Sequence, residues 1–241
     1  MSQVKPDYNS NKTKKEQVSE MFDAISGKYD FLNHFFSLGI DKLWRKRAVK
    51  EIGNYKPGTI LDVATGTADF ALQLIRMAPG SITGIDISEK MLEAGRLKVK
   101  KAKLDSVISL QKADAENIPF PDNSFDAATV AFGVRNFENL QKGLDEICRV
   151  LKKGAPFAVL EFSKPRNRII RSVYFFYFRY IMPFAGRVIS GNKRAYGYLP
   201  ESVMAFPERE LFIEKLGKAG FSKSRFISLS MDIVTLYISE K

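Results

Sequence analysis

Apolar residues recur along this chain at two different spacings, and the change from one to the other predicts the architecture. From Val18 to Val49 they recur at helical spacing, in two pieces that break near residues 37–39. Farther along, short apolar runs alternate with helical patterns, beginning with a strand at 59–64, a helix at 70–77, a strand at 81–87 and a helix from residue 89. Strand-helix-strand units of this size are typical of a parallel sheet, here preceded by a helical cap.

The alternation continues to a fifth strand and then changes. Further elements are predicted as strands at 107–111, 125–132 and 157–162, with a helix at 138–153. After Lys164 the alternation stops, and a helical pattern resumes only near 208–219. The last two apolar runs, 224–229 and 233–238, are separated by the three residues 230–232. Because parallel strands need a crossover of about a dozen residues or more, this final pair is predicted to be an antiparallel hairpin.

The composition suits a single α/β domain. The chain has 241 residues, of which 45% are hydrophobic and 27% charged. We expect four parts, namely a helical N-terminal cap at 1–50, a ligand-binding core at 57–163, an insertion at 164–207, and a C-terminal helix and hairpin at 208–241. The first twenty residues are polar, so they are predicted to be loosely ordered and not a secretory signal, which favours a cytoplasmic location. The single cysteine, Cys148, lies in an apolar helical pattern and is predicted to be a buried thiol.

Basic residues are concentrated in the insertion. The chain carries 38 Lys and Arg against 27 Asp and Glu, a net charge of +11, which favours an anionic partner surface such as phospholipid head groups or nucleic acid. Residues 164–194 contain no acidic residue and eight basic ones, namely Lys164, Arg166, Arg168, Arg171, Arg179, Arg187, Lys193 and Arg194. The insertion therefore needs an explanation of its own.

A candidate nucleoside site follows the first three strands. Ligands of doubly wound sheets bind at the carboxyl ends of strands, which places Asp62 close to the ligand and lets Gly66 bring the backbone near it. Asp86 ends the second strand, where an acid accepts hydrogen bonds from ribose hydroxyls. Asp114 follows the third strand, where it could accept from an adenine amino group.

A nicotinamide cofactor is the competing ligand for such a site. A pyrophosphate demands several glycines, so that amides at the start of a helix can surround it. This loop has only Gly66, with Ala64 and Ala68 where other glycines could stand. The loop therefore favours a nucleoside that lacks a phosphate.

Several motifs resemble those of a known superfamily, and others resemble those of one family within it. Residues 61–67, Asp86 and 114–115 resemble the motifs of class I S-adenosylmethionine (SAM) methyltransferases. Other segments resemble the signatures of the ubiquinone/menaquinone biosynthesis C-methyltransferase family, namely 29–33 with Ser37 and Trp44, 131–137, and 198–200 with Ser202, Phe206 and Pro207. The resemblance runs from about Val18 to the end of the chain. It implies a Rossmann-like, doubly wound, seven-stranded sheet with an antiparallel last strand, in which Thr67, Asp86, Asp114 and Ala115 contact the methyl donor.

The resemblance also implies an activity, the SAM-dependent C-methylation of a prenylated quinol. Demethylmenaquinol is the preferred acceptor, and a methoxy-polyprenyl-benzoquinol of ubiquinone biosynthesis is the alternative. Two positions depart from the family pattern, since Asp41 stands where histidine is frequent and Ala131 where some members have serine. A catalytic role is therefore transferred to neither residue.

Methylating a ring carbon requires an electron-rich ring, which a quinol becomes when its hydroxyl loses a proton. With the tyrosine pKa of ~10 as a guide, only about one phenol in a thousand is ionised at neutral pH. Arg135 follows the fourth strand and is our candidate for stabilising the phenolate, with Asn136 orienting the hydroxyl. The alternative is that Arg135 pairs with a nearby acid such as Glu138. This chemistry requires no metal.

Three cap residues are further candidates as a base. His34, the only histidine, has the right chemistry, but such a residue is more often a packing or capping side chain. Asp30 and Asp41 could equally serve to cap helix ends.

The insertion combines cations with aromatic residues, seven of which lie within 174–184. This stretch is too short to span a bilayer, which takes ~20 apolar residues. At helical spacing the cations Arg168, Arg171 and Arg179 form a stripe, and the apolar residues on the other faces are Ile170, Val173, Tyr177, Ile181 and Phe184. This pattern predicts an amphipathic helix that associates peripherally with an anionic membrane surface, at the inner face of the membrane.

Basic residues interleaved with aromatic ones are also typical of a nucleic-acid-binding surface, so an RNA methyltransferase is the rival interpretation. Such enzymes often carry an extra binding domain, or an Asn/Asp-Pro-Pro-aromatic loop after the fourth strand. This chain has Phe132-Gly133-Val134-Arg135 at that place, so we expect no nucleic-acid partner. A membrane-associated scaffold without activity would leave the acceptor motifs unused.

Overall fold

The N-terminal helix begins earlier than the sequence predicts. The computed structural model describes residues 4–181 and 193–241, apart from the side chains of Phe178 and of residues 193–196. Helix α1 (Lys14–Phe36) starts at a capping box, in which Thr13 and Glu16 satisfy each other's backbone amides. The prediction that the first twenty residues are loosely ordered is therefore wrong for the first turns of α1. Lys14 is buried, and its ammonium donates to the carbonyls of Arg135 and Phe137 at 3.0 and 2.8 Å.

The cap bends where the apolar pattern breaks. Helix α1 ends at the C-cap residue Ser37, and Leu38 and Gly39 adopt left-handed φ angles of 51° and 74°. Helix α2 (Asp41–Gly53) follows. The predicted break near residues 37–39 is confirmed.

Seven strands form one sheet. They are β1 (Thr59–Val63), β2 (Ser81–Asp86), β3 (Ile108–Lys112), β4 (Ala127–Ala131), β5 (Pro156–Phe162), β6 (Ser222–Leu229) and β7 (Val234–Glu240). The spatial order is β3-β2-β1-β4-β5-β7-β6, and β7 pairs antiparallel with both β5 and β6. The predicted fold class and the final hairpin are confirmed. The strand order reverses between β1 and β4, so the carboxyl ends of these two strands form the crevice in which such sheets bind ligands.

Helices cover both faces of the sheet. They are α3 (Asp69–Leu74, extended by a 3-10 turn, Ile75–Met77), α4 (Glu89–Lys101), α5 (Leu140–Val150), α6 (Arg168–Phe176, extended by a π turn, Tyr177–Ile181), α7 (Lys193–Ala205) and α8 (Glu210–Lys218). One core cluster joins α5 and α8 to the sheet, and a second joins α2 and α3 to the opposite face. Cys148 is buried in the first of these clusters, as predicted.

The cap and the insertion pack against each other over the carboxyl ends of the strands. Their buried contact residues are Val18, Met21, Ile25 and Leu32 of α1, Tyr174 of α6, and Tyr198 and Val203 of α7. The described parts of the insertion are mainly helical, as predicted, and Arg168, Arg171 and Arg179 are exposed. Phe184 and Arg187, together with the side chains of Lys193 and Arg194, lie outside the described residues. Within the described ranges, no helix is both long and apolar enough to cross a membrane.

Candidate active site

A cleft at the carboxyl ends of β1, β2 and β4 brings together four predicted ligand-binding residues. Gly66, Asp86, Asp114 and Ala115 all line it, and we call it the nucleoside cleft. Its volume is about 670 Å³ including the part open to solvent, within the usual range for a small-molecule site. Asp62 and Thr67 are not among its lining residues.

Asp86 holds the turn that follows β1. Its two carboxylate oxygens accept from the amides of Gly66 and Ser88 at 2.8 and 2.9 Å. Gly66 has a φ of 56°, a conformation that other residues adopt only with strain. Burial raises the pKa of Asp86, and these amide hydrogen bonds oppose that rise. Because each carboxylate oxygen has a second lone pair, Asp86 can still accept from ribose hydroxyls.

Asp114 faces the cap across the nucleoside cleft. The ammonium of Lys15, in the first turn of α1, lies 2.5 Å from Asp114 and 3.5 Å from Glu116. Burial alone would lower the pKa of Lys15, but these two carboxylates raise it overall. Sequence reasoning missed Lys15, because nothing local to the N-terminus indicates a partner 99 residues away.

Asp62 is buried near the end of β1, next to the turn that borders the cleft. Its carboxylate is fully buried and accepts from the hydroxyls of Thr65 and Thr129, both at 2.6 Å. Burial raises the pKa of Asp62 to about 6 against those hydrogen bonds. A direct contact between Asp62 and the ligand stays a prediction.

Thr67 is engaged by the cap. It is buried, and its hydroxyl donates to Asp30 and accepts from Lys98, whose ammonium is 3.2 Å away. Lys98 also binds Asp30 at 2.8 Å. The structure therefore gives Thr67 a role in joining α1 to the core, and its contact with the donor stays a prediction.

The second cavity is larger and mostly apolar, and we call it the apolar cavity. It measures about 1340 Å³ including the part open to solvent. Its walls come from α1, the α1–α2 turn, the end of β4, α6, α7 and the β6–β7 hairpin. It meets the nucleoside cleft at four shared lining residues, namely Phe22, Tyr29, Phe132 and Asn136. A molecule in the apolar cavity can therefore reach a ligand in the nucleoside cleft.

Gly133 permits close packing between the segments that follow β1 and β4. A Cβ atom at this position would lie only 2.6 Å from the Cβ atom of Ala64, in the loop after β1. The 3-10 turn Val134–Asn136 follows and carries Arg135 and Asn136 to the wall of the apolar cavity. The two predicted catalytic residues therefore share one cavity.

Arg135 forms a buried ion pair. Its Nη1 atom donates to Glu161 Oε1 at 2.7 Å, and the two side chains are 8% and 0% exposed. Burial raises the pKa of Glu161, and the guanidinium opposes that rise. Pairing with an acid was the alternative expectation for Arg135, but Glu138 is not the partner in this pair. Glu161 was missed, although a lone acid in the otherwise apolar strand β5 was a signal of a buried partner.

Several side chains that line the apolar cavity carry a buried polar atom without a hydrogen-bond partner. Within the described ranges these atoms include Arg135 Nε, Asn136 Oδ1, Asn33 Nδ2 and Tyr198 Oη, each of which is buried. An unpaired buried polar group costs about 1–3 kcal/mol. An occupant that offers both donors and acceptors would remove that cost, whereas a purely apolar occupant would not.

His34 belongs to an ionic cluster that joins the cap to the core. Its Nδ1 lies 2.9 Å from Asp41 Oδ2, and its Nε2 lies 3.5 Å from Asp69 Oδ2. These three residues have the spacing of metal ligands, but Arg45 already pairs with Asp41 and Lys98 with Asp69. Burial would raise the pKa of Asp41, but hydrogen bonds and the charge of Arg45 lower it overall. Neither cavity is lined by His34, Asp30 or Asp41.

A sheet of this order, with acids after β2 and β3 beside a glycine turn after β1, defines the class of SAM-dependent methyltransferases with a Rossmann-like fold. A solved SAM-dependent methyltransferase from Aquifex aeolicus has the same fold, with a TM-score of 0.58 and 23% identity over 81% of this chain and 88% of that one. The chain belongs to the ubiE/COQ5 methyltransferase family, whose model matches residues 10–241.

Two curated relatives are similar over nearly their whole length. The chain is 43% identical to the demethylmenaquinone methyltransferase of Porphyromonas gingivalis, over 97% of this chain and 96% of the relative. It is 44% identical to the ubiquinone/menaquinone biosynthesis C-methyltransferase UbiE of Geobacter sp. strain M21, over 95% of this chain and 97% of the relative.

Proposed function

We propose that this chain transfers the methyl group of SAM to a ring carbon of demethylmenaquinol and so produces menaquinol. The chain is an enzyme of a SAM-dependent methyltransferase family, and one of its relatives is named for this reaction. The alternative acceptor, a methoxy-polyprenyl-benzoquinol, is supported by the relative whose name covers ubiquinone as well as menaquinone.

The single observation that carries the proposal is the set of unpaired polar atoms in the wall of an otherwise apolar cavity. A quinol head offers two hydroxyl groups, each a donor and an acceptor, on a flat apolar ring. Its hydroxyls can pair with Arg135 Nε, Asn136 Oδ1, Asn33 Nδ2 and Tyr198 Oη, while its ring and tail occupy the apolar walls. A nucleic-acid strand instead needs an open basic groove with stacking surfaces, and the cavity lining is mostly apolar.

The donor occupies the nucleoside cleft in this proposal. Asp86 accepts from the ribose hydroxyls, Asp114 accepts from the adenine amino group, and Gly66 and Ala115 leave room for the nucleoside. Asp62 and Thr67 support the cleft without lining it. When bound, SAM supplies an electrophilic methyl group at the junction of the two cavities.

Arg135 promotes the loss of the quinol hydroxyl proton. A fall of ~2 in the pKa of that hydroxyl corresponds to about 2.7 kcal/mol, which one desolvated charge contact can supply. Asn136 accepts from the hydroxyl through its free Oδ1 and orients the ring. Arginine is too basic to accept a proton, so the proton passes to solvent. The ring carbon forms its bond to the methyl carbon as the sulfur–methyl bond breaks, and the proton of that ring carbon leaves afterwards.

The acceptor is tested with a labelled methyl donor and three separate acceptors, namely reduced demethylmenaquinone, a reduced methoxy-polyprenyl-benzoquinone and total RNA. Label in demethylmenaquinol is the expected result. Label in the benzoquinol alone would replace the preferred acceptor with the alternative one. Label in RNA with none in either quinol would reject the proposed function.

The assignment of the ribose site is tested by Asp86→Ala. We expect the affinity for S-adenosylhomocysteine, measured by calorimetry, to fall about tenfold to a hundredfold, since hydrogen bonds to a charged group contribute about 1.5–3 kcal/mol. The Michaelis constant for the quinol should stay close to the wild-type value. An unchanged donor affinity would show that the ribose lies elsewhere.

Peripheral association with an anionic membrane is also part of the proposed function. The exposed side chains of Arg168, Arg171 and Arg179 give the insertion a cationic stripe, which supports binding to anionic head groups. A prenylated quinol resides in a bilayer, so an enzyme that uses it gains from a position at the membrane surface. Binding to vesicles with and without anionic lipid tests this association.

A further inference from the structure

Large apolar side chains are exposed together at the corner between α1 and α2. Their exposed fractions are 61% for Phe31, 50% for Phe35, 83% for Leu38, 37% for Ile40 and 63% for Leu43, and we call these five residues the corner patch. The rings of Phe31 and Phe35 stack at 5.8 Å. A single exposed apolar side chain is ordinary, whereas a group of them marks a binding surface.

The corner patch borders the apolar cavity. Leu38 and Ile40 belong both to the corner patch and to the lining of the cavity. A side chain that is exposed and also lines a cavity lies at its opening. The acceptor site therefore opens to the outside through the corner patch.

Helix α6 continues the apolar surface beside the corner. The hydroxyl of Tyr177 donates to the carbonyl of Phe36 at 3.1 Å and so holds the end of the insertion against the end of α1. Exposed apolar side chains follow along the insertion at helical spacing, namely Ile169, Val173, Phe176 and Tyr180. The apolar surface therefore extends over parts of the chain that are far apart in sequence.

Cations flank the corner patch. Lys42 and Lys46 are exposed on α2 next to Leu43, and neither forms an ion pair with another described residue. On the insertion, Arg179 is exposed next to Tyr180. An apolar patch with cations at its edge matches a bilayer with anionic head groups, in which acyl chains lie below the charge.

We infer that the corner patch docks onto an anionic phospholipid bilayer, and that the prenyl tail of the acceptor passes from the bilayer into the apolar cavity between Leu38 and Ile40. The passage of the tail rests on the proposed methylation of a prenylated quinol. The docking deepens the proposed membrane association, and it rests on the exposed side chains of the corner patch and not on the identity of the acceptor. Direct transfer from the bilayer keeps the tail out of water. It also places the ring deeper in the cavity than the tail, toward the nucleoside cleft.

The docking is tested with Phe31→Ser combined with Leu43→Ser, because neither residue lines a cavity. Leu97→Ser combined with Leu211→Ser is the matched control, since these side chains are 71% and 58% exposed on α4 and α8. Co-sedimentation is measured with vesicles of phosphatidylglycerol and phosphatidylethanolamine. We expect the corner variant to bind at least about tenfold more weakly than the wild type, because two large side chains no longer insert, and the control to bind normally. Unchanged binding by the corner variant, or an equal loss in the control, would overturn the docking.

The tail route is tested with two quinols. With a water-soluble demethylmenaquinol that carries one prenyl unit, the corner variant should turn over at the wild-type rate, which also shows that it is folded. With a long-tailed quinol embedded in the vesicles, its turnover should fall in parallel with its vesicle binding. Equal turnover of the embedded quinol by the wild type and the corner variant would overturn the tail route. If the wild type methylates neither quinol, the proposed function fails, and the vesicle measurement still decides the docking.

Discussion

At the scale of single residues, Arg135 is the side chain whose surroundings most change its interpretation. The sequence predicts that Arg135 stabilises the phenolate, with pairing to an acid such as Glu138 as the alternative, and the structure pairs it with the fully buried Glu161. Glu161 offsets much of the charge that Arg135 presents to the quinol. Two features of Arg135 can still act on the substrate. Its Nε atom has no hydrogen-bond partner, and its charge interacts strongly with a nearby oxygen because the site is desolvated. Removing one partner of a buried pair typically costs about 3–5 kcal/mol, so stability must be measured beside activity.

The variant Arg135→Gln separates these effects. We expect turnover to fall about a hundredfold, because the pKa of the quinol hydroxyl is no longer lowered by ~2. The affinity for S-adenosylhomocysteine should stay within about twofold, since Arg135 does not line the nucleoside cleft. Thermal melting checks that the protein is folded at the assay temperature. Wild-type turnover in this variant would remove Arg135 from the mechanism.

We expect Asp62 to make the stability of the protein depend on pH. Burial raises the pKa of its carboxyl to about 6, from an ordinary value of 3.8. Between pH 3.8 and about pH 6, Asp62 is protonated in the folded state and ionised in the unfolded state. The free energy of unfolding therefore falls as pH rises through this interval, and the contribution of Asp62 is constant above about pH 6. The full loss corresponds to about 3 kcal/mol.

The check is the free energy of unfolding in urea, measured from acidic to neutral pH for the wild type and for Asp62→Asn. The wild type should lose stability relative to the variant as pH rises, because the amide does not titrate. Parallel curves for the two proteins would show that the carboxyl of Asp62 has an ordinary pKa.

At the scale of elements, the strands and most helices were predictable, whereas the start of α1 was not. Each strand is a short apolar run between polar turns, and the short connection before β7, predicted at 230–232 and observed at 230–233, makes β6 and β7 an antiparallel hairpin. The first turn of α1 is polar, and Lys14 is buried there only because its ammonium meets the carbonyls of Arg135 and Phe137. Such contacts depend on the tertiary fold, and no local sequence pattern predicts them.

The capping box of α1 provides a test at this scale. Thr13→Ala removes the side-chain acceptor for the amide of Glu16 and should lower the free energy of unfolding by about 1 kcal/mol. Thr13→Ser keeps the hydroxyl and is the matched control, with a stability close to that of the wild type. Equal stability of the alanine and serine variants in chemical denaturation would contradict a stabilising cap.

At the scale of the whole molecule, the two cavities differ in how far the sequence revealed them. The nucleoside cleft was largely predictable, because Gly66, Asp86 and Asp114 each follow a strand of one parallel sheet and must meet at its edge. The apolar cavity was not, because its wall combines α1, α6, α7 and the final hairpin. Only Arg135 and Asn136 were given a catalytic role there in advance, although the family-signature segments 29–33 and 198–200 also contribute to its lining. Its lining polar residues Asn33 and Tyr198 became recognisable once the fold left them buried without partners.

Because the cap supplies walls to both cavities, binding of the donor and order in the cap should be linked. Lys15, Val18 and Phe22 of α1 line the nucleoside cleft, so a ligand there contacts the cap and the core at once. A ligand that binds the cap and the core together stabilises their contact by mass action. Saturating S-adenosylhomocysteine should therefore slow hydrogen exchange at the amides in the first half of α1 by at least about tenfold. Amides of β6, at the far edge of the sheet, are the internal control and should exchange at an unchanged rate. Equal protection of α1 and β6 would mean that the ligand stabilises the fold as a whole, and no protection of α1 would mean that the cap does not contact the donor.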